Sequence, residues 1–82
     1  MTLTEVAESL AGRMEATVVP GEDRWSIKVE GKGYYFVVGT FFGGWQSTLY
    51  IPDQAPLTFY GETAEMLEAR MKAKLSGRDH QF

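Results

Sequence analysis

The chain has 82 residues, enough for one small domain and no second. It carries 11 acidic and 8 basic side chains, a net charge of −3, one histidine and no cysteine. Those counts exclude a disulfide framework, a thiolate metal site and a cysteine nucleophile, and they lack the basic footprint of a dedicated nucleic-acid binder.

A chain of this size buries only about 60% of the surface its unfolded form exposes, so it needs a dense core. The 44% hydrophobic and 13% aromatic content suits one. Eleven residues are aromatic, and nine of them lie between Tyr34 and Tyr60.

In chain order, Leu3, Val6, Ala7, Leu10 and Met14 recur at helical spacing and predict a helix over 3–13. Thr2 and Glu5 stand three apart, as a capping box requires. Gly12 or the residues just after it end the helix. A short β-branched strand over 16–19 stops at Pro20-Gly21. Residues 24–30 alternate polar and apolar, the pattern of a half-buried strand. Gly31-Lys32-Gly33 turns the chain into 34–42, apolar on both alternating sets and therefore central. Gly43-Gly44 reads as a two-residue hairpin loop, and 45–51 returns as a fourth strand. Whether Leu57-Thr58-Phe59-Tyr60 forms a short edge strand or a docked loop is left open by its residues. A helix over 62–75 buries Ala64, Leu67, Met71 and Leu75, with Gly77 as its stop. Met14, Met66 and Met71 fit core or helix-seam filling.

The expectation is an α+β fold: a two-layer sandwich, with an antiparallel four-stranded meander and both helices on one face. Residues 1–77 make a single compact domain and 78–82 a mobile tail. The stretch from Tyr34 to Pro52 has no charge, yet Gly43-Gly44 and Gln46-Ser47-Thr48 interrupt it, so it reads as a hairpin and no membrane contact is expected. Met1-Thr2-Leu3-Thr4-Glu5 has neither a basic region nor an apolar run, so no signal peptide is read and a cytoplasmic location is expected.

A two-residue Gly43-Gly44 loop pairs Phe42 with Trp45, Thr40 with Ser47, Val38 with Leu49 and Phe36 with Ile51. That face, joined by Tyr34, Trp25, Ile27 and Val29, is assigned to the core. The opposite face carries Tyr35, Val37, Gly39, Phe41, Gln46, Thr48 and Tyr50, flanked by Ser26 and Lys28. Such a patch is larger and more aromatic than a monomer ordinarily leaves open. Unless 57–60, the tail or a second copy covers it, it is the functional surface.

Catalytic chemistry is absent from the pattern. His80 stands alone near the end, and no base neighbours Ser9, Ser26, Ser47 or Ser76. Gly31-Lys32-Gly33 joins two strands, unlike a phosphate loop. Glu62, Glu65 and Glu68 form a solvated helix face, with Glu68 and Lys72 an i,i+4 pair. No cofactor and no metal are expected.

The element order resembles the double-stranded RNA-binding domain. Where that family places lysines at the start of its last helix, this chain reads Gly61-Glu62-Thr63-Ala64-Glu65, so phosphate binding is not implied. The expected function is a non-catalytic protein-binding module that occupies a partner's surface through Tyr35, Val37, Phe41, Gln46, Thr48 and Tyr50. Its specific form would be a phage or mobile-element inhibitor of a host defence system, anti-CRISPR-like in its small acidic composition. The alternatives are a small structural homodimer, and a small-ligand or nucleotide binder that stacks its ligand on the rings.

Overall fold

A computed structural model describes residues 2–21 and 25–79. The elements are α1 (Leu3–Arg13), β1 (Thr17–Val19), β2 (Ser26–Gly31), β3 (Tyr34–Phe41), β4 (Gly44–Tyr50), β5 (Leu57–Gly61) and α2 (Ala64–Asp79). The strands form one antiparallel sheet in sequence order, β1-β2-β3-β4-β5. The expected meander is therefore present with five strands instead of four, because Leu57–Gly61 pairs along β4 and does not dock as a loop.

Helix α1 begins where its cap dictates. The Thr2 hydroxyl accepts from the Glu5 N–H and the Glu5 carboxylate accepts from the Thr2 N–H, at 3.2 and 2.8 Å. Its end is a left-handed residue, Glu15 at φ 55°, with the Ala16 N–H returning to the Ala11 carbonyl at 2.8 Å. Helix α2 starts at Thr63, whose hydroxyl accepts from the Met66 N–H at 3.2 Å. It runs through Gly77 to Asp79, so Gly77 does not stop it. The proposed tail thus begins inside the helix, and its remaining residues, 80–82, lie outside the described residues.

Both helices lie on one face of the sheet. Val6, Ala7, Leu10 and Ala11 of α1 and Ala64, Leu67 and Met71 of α2 share a core with Val29, Phe36, Val38 and Leu49. Each fully buried Val, Leu, Phe or Met side chain stabilises by roughly 1.5–3 kcal/mol. An exposed ion pair contributes about 0.2–1 kcal/mol, so the core sets the fold and surface charges orient the helices. Arg13 at the end of α1 reaches Glu68 and Glu65 on α2 at 3.2 and 3.4 Å, and Lys72 closes on Glu68 at 2.9 Å. Ser47, the buried polar residue of the core, turns its hydroxyl to the Met71 sulfur at 3.1 Å. Burial beside the core lifts the Tyr34 hydroxyl above the ordinary tyrosine range, and nearby Lys72 offsets part of that.

Four core assignments are overturned. Phe42 is 96% exposed, Trp25 is 74% exposed, and Met66 and Thr40 are also exposed. The first has a clear cause. The loop is Phe42-Gly43, with φ of 36° and 79°, and it closes on Phe41 paired with Gly44. Gly44 is inside the strand because β5 crosses it closely: a Cβ there would lie 2.9 Å from the Gly61 carbonyl oxygen. Trp25 stands before the first paired residue of β2, outside the register that turns alternate side chains toward the core.

Candidate partner-binding face

Moving the turn by one residue changes every expected partner. Thr40 faces Trp45, Val38 faces Ser47 and Phe36 faces Leu49. It does not exchange the two faces. A turn displaced by one residue displaces the pairing by two, and side chains repeat every two. Phe36 and Val38 remain beneath the helices, while Tyr35, Val37 and Phe41 point the other way.

That outer face is assembled from four strands. Pairing places Tyr35 beside Tyr50, Val37 beside Thr48 and Gly39 beside Gln46. On one flank β2 adds Lys28 opposite Val37 and Glu30 opposite Tyr35. On the other flank β5 adds Thr58 beside Thr48 and Tyr60 beside Gln46. All six sequence-expected residues, Tyr35, Val37, Phe41, Gln46, Thr48 and Tyr50, therefore share this face. The core helices are packed on the opposite side.

The rings form two clusters. At one end Tyr35 and Tyr50 stack with centroids 4.6 Å apart, and the Lys28 ammonium sits 4.5 Å from the Tyr35 centroid. At the other end Phe41 contacts Tyr60 at 4.4 Å and Phe42 edge-on at 4.7 Å. Six residue steps along β3 separate Tyr35 from Phe41, about 20 Å of extended chain. Val37, Gln46 and the Thr48–Thr58 hydroxyl pair, at 3.0 Å, fill the middle. The arrangement is two aromatic ends joined by a mostly polar waist.

Sequence reasoning missed Tyr60, Thr58 and Phe42. The first two needed β5 to be placed, and the only signal was the β-branched and aromatic run 57–60. Phe42 needed the turn centred correctly. Together with Trp45, Met66 and Arg70, the Phe41, Phe42 and Tyr60 rings line a groove of about 330 Å³ between the hairpin tip and α2.

Among the described residues no group of three His, Asp or Glu is placed to hold a metal ion, and no helix is long and apolar enough to cross a membrane. His80 lies outside the described residues. Compared with protein-family models, with curated proteins and with solved structures, the chain matches none.

Proposed function

We propose that this protein is a non-catalytic binding module that acts by covering a partner's surface with the helix-free face of its sheet. The observation that carries the reading is the placement of Tyr35, Tyr50, Phe41 and Tyr60 on a side that neither helix packs against. Aromatic anchors set in polar surroundings are the composition in which interface energy concentrates. The five-stranded sheet fixes their backbone positions before binding, which lowers the ordering cost. The specific form of the reading is an inhibitor from a phage or mobile element that silences a host protein by masking it.

Capture from a host lysate with immobilised protein tests it. The triple variant Tyr35→Ala, Phe41→Ala, Tyr50→Ala is expected to lose the partner, while Glu8→Ala on the solvent side of α1 keeps it. Retention of every partner by the triple variant would place the working surface elsewhere. Loss of binding in Glu8→Ala alone would do the same.

A further inference from the structure

Strand β5 is one edge of the sheet, and its residues Leu57, Thr58, Phe59, Tyr60 and Gly61 include no charge and no proline. It pairs with β4 residue for residue, without a bulge. Exposed edges are ordinarily blunted by charged side chains, proline or bulges, since their open backbone groups are a template for another strand. This one is not blunted within the strand.

The open groups can be identified. The two-residue turn closes on Phe41 and Gly44, so that pair exchanges both backbone hydrogen bonds, and the pattern alternates from there. Gly44, Gln46 and Thr48 are bonded to β3, which leaves Trp45, Ser47 and Leu49 to bond Gly61, Phe59 and Leu57. The N–H and C=O groups of Thr58 and Tyr60 therefore point away from the sheet. The Arg70 guanidinium donates to the Tyr60 carbonyl, on the side this alternation requires. A carbonyl oxygen has two lone pairs, so that acceptor still has room for a second donor. Among the described residues, five of the six exposed large hydrophobics lie at this edge or the hairpin tip against it: Phe41, Phe42, Leu57, Tyr60 and Met66.

We propose that a second copy of this chain pairs with β5, antiparallel, about a two-fold axis at Phe59. Thr58 of each copy then faces Tyr60 of the other, and the sheet continues through ten strands. A second copy fits because the edge complements itself. Its outward groups lie symmetrically on either side of Phe59, so both Thr58–Tyr60 pairs exchange two hydrogen bonds; the strand residues that face each other carry no charge, and each Arg70 side chain shares the Tyr60 carbonyl from its own helix. Leu57 and Met66 flank the seam on the helix side and Tyr60 on the outer side. The seam is about 17 Å long, short of what the roughly 1,200–2,000 Å² of a standard stable interface requires, so the dimer is a weak one. The edge shares Thr58 and Tyr60 with the partner-binding face, but its pairing uses their backbone groups, so the Tyr35 and Tyr50 rings separate the two assignments.

Sedimentation equilibrium tests it. The wild-type mass is expected to rise from 9.2 kDa towards twice that value between about 10 µM and about 1 mM protein. Thr58→Pro removes an outward N–H without touching the β4 ladder, and Thr58→Lys sets a charge on the edge. Both are expected to remain at 9.2 kDa at the higher concentration, with far-UV circular dichroism unchanged. Tyr35→Ala with Tyr50→Ala is expected to dimerise as the wild type does. A wild type that stays monomeric at about 1 mM overturns the proposal. So does a dimer that survives both Thr58 variants in folded form, or one that the Tyr35 and Tyr50 changes abolish.

Discussion

Phe42 holds a backbone conformation that its side chain disfavours and buries almost none of that side chain in return. A left-handed position costs a residue with a Cβ about 1–2 kcal/mol, and asparagine or glycine tolerates it best. The ring touches only the tip cluster, edge-on to Phe41. Phe42→Asn is therefore expected to stabilise the fold by about 1 kcal/mol, which raises Tm by roughly 4–8 °C in a domain of this size. The same change is expected to weaken partner capture, because it removes the most exposed ring at one end of the face. A thermal melt run beside the capture assay checks both. Lower stability in Phe42→Asn would mean that the ring supports the fold. From the sequence alone Phe42 read as core, since one more aromatic in an aromatic strand looks like its neighbours. The deciding contact, Gly44 against Gly61, joins residues 17 apart and is invisible to local pattern.

The elements themselves were largely legible. Helix α1 runs over the residues its periodicity and capping box imply, and β2, β3 and β4 fall within a residue or two of expectation. Strand β5 was ambiguous because five uncharged residues carry too short a pattern to separate an edge strand from a docked loop. Helix α2 outlasts Gly77 because a single glycine in a helix costs only about 1 kcal/mol. The junction of the two helices was not legible at all: Arg13 meets Glu65 and Glu68 across 52 and 55 positions. That junction has a pH signature. Hydrogen bonding to Lys72, then to Arg13, holds the Glu68 carboxyl below the ordinary carboxylate range, and the Thr2 backbone and hydroxyl do the same for Glu5. A carboxyl with a lowered folded-state pKa contributes its full stability above the unfolded value of about 4.3 and loses it as pH falls through the folded value. Wild type is therefore expected to exceed Glu68→Gln in urea midpoint at about pH 7, with the gap closing by about pH 3. An equal gap at both pH values would show that Glu68 acts there by packing and not by charge.

At the scale of the whole molecule, two helices suffice to cover one side of a five-stranded sheet, and the other side is left to the sheet's own side chains. The sequence identified that side correctly despite a misplaced turn, since any two-residue loop preserves the alternation of faces. It could not reveal the division of the rings into two clusters about 20 Å apart, because that follows from pairing with β5 and β4. It could not indicate the partner, because complementarity belongs to two surfaces and only one is encoded here. The central claim is that the helix-free face does the binding. Amide spectra of isotope-labelled protein, recorded as the captured partner is added, measure this residue by residue. The expected result is shifts at Tyr35, Val37, Phe41, Gln46, Thr48 and Tyr50, with Thr4 and Glu8 of α1 unmoved. Shifts confined to the helices, with the sheet face silent, would contradict it.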